Sequence, residues 1–270
     1  MPVKTDTIKV AVVQMNSSAA KAKNISTAVS LCQKAIAQGA EFILLPESFN
    51  SFIYGGSFSV AEPLSGPSLE PLLELARKCK VYILAGSICE KGPRDKAYNT
   101  SVLVDNKGRI IAKYRKMHLF DVSLKGKKIS EAKIYLRGRA PILISVLGVK
   151  TGLSICYDLR FPELYRFYSR NGARILCVPS AFTEATGSAH WEVLLRSRAI
   201  ENQCYILAPN QCGRSADGIM SYGNSMIISP WGEILARADK KSQKIIYAQI
   251  RLDELMDLRN GFPVLKHRLL

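Results

Sequence analysis

Three side chains stand where apolar runs of this sequence break off. Cys156 follows Val149–Ile155 within GLSICYDLRFPELYR, from Gly152 to Arg166. Glu47 follows Phe42–Leu45 in LLPES, and Lys116 follows Arg109–Tyr114 in YRKMHLF. Short apolar runs of this kind predict strands, so a thiol, a carboxylate and an ammonium each sit at a strand tip. Leu159–Tyr168 reads as the start of a helix, which puts Cys156 on a sharp turn that presents a nucleophile. A thiol attacks only as a thiolate and needs a base or a cation beside it. Glu47 can take the thiol proton and return it to a leaving group. Lys116 can stabilise the thiolate and the oxyanion of a tetrahedral intermediate, and the N–H of Tyr157 adds a backbone donor. Together these predict acyl transfer through a thioester, at an amide or nitrile carbon.

Taken singly, each residue has a plainer reading. A free cysteine is most often a small buried hydrophobe, and Cys32, Cys79, Cys89, Cys177, Cys204 and Cys212 fit that description. Glu47 after Pro46 reads equally as a helix cap or a surface charge, and Lys116 as one more solvated lysine. The joint arrangement shifts the balance. The seven scattered cysteines form no C-x-x-C pair, so neither a metal site nor a disulfide framework is predicted. His118 reads as a hydrogen-bonded structural histidine.

The elements that must position these residues alternate. Strands are predicted over 8–15, 42–45, 81–85, 100–105, 109–116, 142–146, 149–155, 174–179, 204–208, 224–229, 233–238 and 244–250. Helices are predicted over 21–38, 68–79 (capped by Ser68), 160–170 and 190–202. Asn106-Lys107-Gly108, the break after Val146 and Pro230-Trp231-Gly232 read as hairpin turns. βαβ units mixed with hairpins imply two mixed sheets packed face to face with helices outside. The basic stretch 121–139 reads as a mobile loop, and the chain after Ile250 as an arm packed on the body or on a partner.

The 270 residues suffice for a sizeable core, and an apolar content of 47% with 22% charged residues is ordinary for a globular protein. No apolar run is long enough to span a bilayer and no signal segment is read, so a cytoplasmic protein is expected. The net charge of +16 is partly local, with Lys107, Arg109, Lys113, Arg115, Lys116, Lys125, Lys127, Lys128 and Lys133 crowded together. That excess suits an anionic small molecule, and no aromatic-interleaved stripe points to nucleic acid.

LLPES, YRKMHLF and GLSICYDLRFPELYR resemble the Glu-Lys-Cys motifs of the nitrilase superfamily of carbon–nitrogen hydrolases. VAVVQMNS, YNTSVLVDNKG and PWGEILARAD extend the resemblance over nearly the whole chain. It implies one domain over residues 1–270, an αββα sandwich, and pairing of two subunits into a longer αββααββα unit. No metal or organic cofactor is implied. Cys156 would be the nucleophile, Glu47 the general base and Lys116 the oxyanion stabiliser. Glu131, in SEAKIYLRG, would orient Lys116 or the substrate, although SLKGKKIS and Arg137-Gly138 depart from the usual pattern there.

SAHWEVLLRSRAIENQCYILAPNQCGR and FPVLKHR are similar to the branch of amidases that act on deaminated glutathione, releasing α-ketoglutarate and cysteinylglycine. MHLFDV fits that branch and its neighbour, the ω-amidases acting on α-keto acid amides. Such substrates are anionic, so Arg160 and Arg198 are candidates to contact carboxylates, and Tyr54 and Phe182 to wall the pocket. Nitriles and N-carbamoyl compounds share the chemistry and stay open as substrates. A scaffold or binding protein on the same fold is the non-enzymatic alternative.

Overall fold

The computed structural model describes residues 7–124, 127–215 and 217–269. Its first sheet is built from β1 (Thr7–Gln14), β2 (Phe42–Leu44), β3 (Tyr82–Lys91), β4 (Ala97–Val104) and β5 (Ile110–Arg115), with β16 (Lys244–Arg251) on its far edge. The order is β16-β1-β2-β3-β4-β5; β1, β2 and β3 run parallel and the outer pairs antiparallel. The second sheet takes β8 (Ile142–Val146), β9 (Val149–Leu153), β10 (Ile175–Cys177), β11 (Tyr205–Ala208), β14 (Met226–Ile228) and β15 (Ile234–Arg237). Its order is β15-β14-β11-β10-β9-β8, again mixed.

Strand alternation assigns the layers. On β1, Val10 and Val12 point into the core shared with the second sheet, whereas Ala11 and Val13 face the opposite cluster. Phe42 and Leu44 on β2 repeat the first direction, and Ile43 the second. The opposite cluster is closed by α1 (Lys21–Ala37), through Ala28, Cys32 and Ala35, and by α2 (Glu70–Cys79), through Leu72, Leu75 and Ala76. On the far side of the second sheet lie α3 (Pro162–Arg170), which buries Leu164, Tyr165 and Tyr168, and α4 (Glu184–Asn202), which buries Trp191, Leu195 and Ala199. The molecule is therefore an αββα sandwich with both sheets mixed.

Three expectations need correction. Ser68 does not cap α2, which begins at Glu70; its hydroxyl instead accepts from Asn50 Nδ2 at 2.9 Å. α4 starts six residues earlier than its apolar periodicity predicts, at Glu184, because Thr183 accepts from the N–H of Thr186. The stretch 121–139 is not a featureless loop: β6 (Asp121–Leu124) pairs with β7 (Lys127–Ser130), and a 3-10 turn follows at Glu131–Lys133. Lys125 lies outside the described residues. The chain after Ile250 packs on the body, one of the two arrangements expected for it. It forms α5 (Leu252–Gly261), whose Leu255 is buried and whose Arg259 donates to the carbonyls of Ala173 and Gln203. A small ribbon of β12 (Cys212–Arg214) and β13 (Met220–Tyr222) has no counterpart in the pattern reading. No helix of the described residues is long and apolar enough to cross a membrane.

Candidate active site

Glu47 lies just beyond β2, Lys116 just beyond β5, and Cys156 a short way beyond β9. The first two come from one sheet and the third from the other, so the site straddles the seam between the sheets. At β2 the chain turns through Pro46 and Glu47 into Ser48, whose φ is +54°. The turn presses on Gly86 of β3, where a Cβ would fall 1.9 Å from the Pro46 carbonyl oxygen. Only glycine permits that approach. Gln211 Nε2 then holds the Glu47 carbonyl at 2.9 Å.

Lys116 is 1% exposed, yet it carries the site's ammonium. Its Nζ donates to Glu47 Oε1 at 2.9 Å and to Glu131 Oε1 at 2.8 Å. Glu131, from the 3-10 turn after β7, accepts from the N–H of Phe120 on its other oxygen at 2.8 Å. Burial works to lower the Lys116 pKa, but Glu131 and Glu47 outweigh it and hold the ammonium well above its ordinary value. Burial raises the Glu131 carboxyl, with Lys116 opposing and Glu47 reinforcing the shift. One cation is thus shared between two buried carboxylates.

Cys156 stands at a strained elbow with φ +46°, a region that β-carbon-bearing residues seldom occupy. Its N–H is anchored to the Pro179 carbonyl at 2.9 Å, and residues 156–160 wind into one 3-10 turn before Pro162 opens α3. Tyr157 lies in the first turn, where backbone donors lack intrahelical acceptors. Burial pushes the thiol well up, and the charge of Glu47 pushes it further; Lys116 pulls the other way. The surroundings therefore favour the neutral thiol over a preformed thiolate.

Asp158 ties the elbow to the lysine segment. One of its oxygens accepts from Tyr114 OH at 2.7 Å and Ile155 N–H at 2.9 Å. The other meets the N–H of His118 at 3.0 Å and its Nδ1 at 2.7 Å. His118 also stacks on Phe161, with ring centroids 3.7 Å apart. Tyr114 and His118 flank Lys116 in sequence, so one buried carboxylate fixes both sides of the lysine against the cysteine turn.

These groups line an open-mouthed cleft. Glu47, Lys116, Glu131 and Cys156 form its polar floor, and Tyr54, Tyr157 and Phe182 contribute aromatic wall. Tyr54 OH pairs with Ser221 Oγ at 3.1 Å. Arg160 reaches the cleft with its guanidinium 5.4 Å from the Phe182 ring centre and 5.8 Å from that of Tyr157. It contacts His190 Nδ1 at 3.2 Å, and among the described residues no carboxylate pairs with it. Arg198 is not in the cleft. Its guanidinium is buried behind the elbow, donating to the Leu159 carbonyl and to Glu201, because its place on α4 turns it toward the 3-10 turn. Asn99, Tyr135 and Thr183 also line the cleft and were not singled out from the sequence. The pattern gave no signal for Asn99, which precedes the predicted strand 100–105 and is followed by the polar Thr100 and Ser101. Among the described residues, no cluster of histidine, cysteine and carboxylate side chains suits a metal ion.

A carbon-nitrogen hydrolase family model matches residues 9–260. The chain is similar to the deaminated glutathione amidase of Mus musculus, 40% identical over 96% of this chain and 82% of that protein. It is also similar to the human omega-amidase NIT2, 37% identical over 96% of this chain and 94% of that protein. Among solved structures, the C. elegans NitFhit protein matches with a TM-score of 0.92 at 37% identity; the alignment covers 99% of this chain and 66% of that one. Saccharomyces cerevisiae Nit3, a member of branch 10 of the nitrilase superfamily, matches with a TM-score of 0.87 at 35% identity, over 98% and 97% of the two chains.

Proposed function

The chain belongs to the carbon-nitrogen hydrolase family of the nitrilase superfamily and is an amidase, and we propose that its substrate is a small anionic amide, deaminated glutathione. Arg160 carries the choice of an anionic substrate. It is a cation at a cleft wall, backed by aromatic rings, without a carboxylate partner among the described residues. A substrate carboxylate would complete it with a charge-assisted hydrogen bond.

In this reading Glu47 takes the Cys156 proton as Sγ attacks the amide carbon. The carbonyl oxygen becomes an oxyanion, held by Lys116 Nζ and the N–H of Tyr157. The intermediate collapses, the C–N bond breaks, and Glu47 returns its proton to the departing amine. Water then attacks the thioester carbon and gives a proton to Glu47. The acid leaves, and Cys156 regains its proton. Lys116 acts as a fixed charge throughout, because the two carboxylates keep it protonated. Glu131 holds its direction.

Mass spectrometry of products from deaminated glutathione and, separately, from α-ketoglutaramate tests the assignment. Rapid release of cysteinylglycine with slow ammonia release from α-ketoglutaramate supports it. The reverse preference makes the protein an ω-amidase, and turnover of neither overturns both. Arg160→Met is expected to raise KM for the anionic amide roughly 10- to 100-fold, the value of a charge-assisted hydrogen bond, with kcat nearly unchanged. The same reading includes a homodimer. Phe167, Val193 and Ile200 leave apolar surface open on α3 and α4, and light scattering of the purified protein tests the pairing.

A further inference from the structure

A base that also anchors a cation has to divide its two oxygens between the tasks. On Glu47 the donors converge on one atom: Oε1 accepts from Asn99 Nδ2 at 2.8 Å and from Lys116 Nζ at 2.9 Å. Among the described residues, no donor is paired with Oε2. We propose that Asn99 is the positioning residue of the base, committing Oε1 to the scaffold so that Oε2 is reserved for the thiol proton of Cys156. The proposal rests on the reading of Glu47 as general base.

The surroundings of Asn99 support this role. It sits within β4, opposite Cys89 of β3, and is 2% exposed. Its carbonyl accepts from the N–H of Lys116 at 2.9 Å, so one residue fixes both the lysine's backbone and the carboxylate the lysine holds. The acceptor at Glu47 dictates which way the amide faces, because a carboxylate oxygen demands the NH2 end. The amide oxygen is then left buried without a partner. A residue present only to fill space would be apolar there and would leave nothing unsatisfied. The other groups that feel Glu47 are charged or ionisable: Lys116, Glu131, Cys156, Tyr54 and Tyr135. Asn99 contributes a second donor without adding charge. That steers the carboxylate without competing with Lys116 for an oxyanion.

A kinetic split and a double-mutant cycle test this. Asn99→Ala is expected to lower kcat for amide hydrolysis 10- to 100-fold, part of what a positioned base contributes, while KM changes less than threefold. Independently, Cys156 is alkylated with iodoacetamide and followed by intact mass in four proteins: unaltered, Asn99→Ala, Glu47→Ala and the double variant. The substitution at Asn99 is expected to change the alkylation rate at least threefold when Glu47 is present and less than twofold when it is absent. Equal factors in both backgrounds, or an unchanged kcat, overturn the proposal. Asn99→Leu, which keeps the approximate shape and loses the donor without adding charge, replaces Asn99→Ala if the latter fails to fold. If no amide is hydrolysed by any of the proteins, the functional reading fails while the alkylation cycle still decides the role of Asn99.

Discussion

Replacing Lys116 with methionine is expected to destabilise the protein and to steepen its loss of stability as pH rises. The ammonium makes two hydrogen bonds, at 2.9 and 2.8 Å, to carboxylates that are themselves buried. Methionine keeps the length of the side chain and removes the charge. Breaking a buried ion pair from one side costs about 3–5 kcal/mol, a large share of the 5–15 kcal/mol that holds a typical domain together. For a chain of this size that lowers the melting temperature on the order of 10 °C. Without Lys116 the Glu131 carboxyl loses the charge that opposes its burial, so it is expected to keep a proton in the folded variant. The Glu131 carboxyl is already raised with Lys116 in place. A carboxyl raised in the fold binds more protons there than in the unfolded chain. Its stability contribution is full below the ordinary value near 4.5 and is lost as pH rises through the raised value. The variant is therefore expected to lose about 1.4 kcal/mol per pH unit across that window, more steeply than the unaltered protein. Thermal and urea unfolding at pH 5 and pH 7.5 measure it. A variant that melts within 2 °C of the unaltered protein at both pH values, or one relatively more stable at pH 7.5, would refute the shared-cation account.

Glu47→Gln is expected to abolish hydrolysis yet to speed alkylation of Cys156 near neutral pH, because the carboxylate whose charge raises the thiol is gone and Lys116 remains; Cys156→Ala supplies the blank in the mass spectrum. Asp158→Asn is expected to lower stability by several kcal/mol and to cut kcat, since one buried carboxylate gathers Tyr114, Ile155 and His118; unchanged melting would dismiss it as the tie across the seam. Gly86→Ala forces the Pro46 carbonyl aside, so activity is expected to fall by at least tenfold even in protein that remains folded, and retained activity would show that the turn has slack.

The strand-tip positions of Glu47, Lys116 and Cys156 were legible because each ends an apolar run at an abrupt change of polarity, and a strand's period of two is short enough to register in five residues. What tertiary contacts decide was not. Ser68 has the chemistry of a helix cap, but Asn50 claims its hydroxyl. Arg198 looks like a free cation in sequence, yet the Leu159 carbonyl of the 3-10 turn and the Glu201 carboxylate absorb it. The β6–β7 hairpin reads as loop because its charged residues hide the alternation of Val122 and Ile129. Asn99 is hidden in the polar run Asn99-Thr100-Ser101 at the start of β4; that its amide meets Glu47 depends on β2 and β4 lying on either side of β3.

The edge pairing of β16 with β1 bears on how the chain is made. Thr7 finds its partner in Arg251, and Gln14 in Lys244, so during synthesis β1 waits for a strand that is translated long after it. Until then β1 exposes an unpaired backbone edge beside one of the most apolar parts of the chain, the kind of edge that recruits other strands. Closing so long a loop is slow on entropic grounds. A chain truncated before Lys244 is accordingly expected to be captured by chaperones or to aggregate, even though it contains Glu47, Lys116, Glu131 and Cys156. Completeness of the reacting groups and competence to assemble them are thus separated along the chain by almost ninety residues of translation, from Cys156 to Lys244.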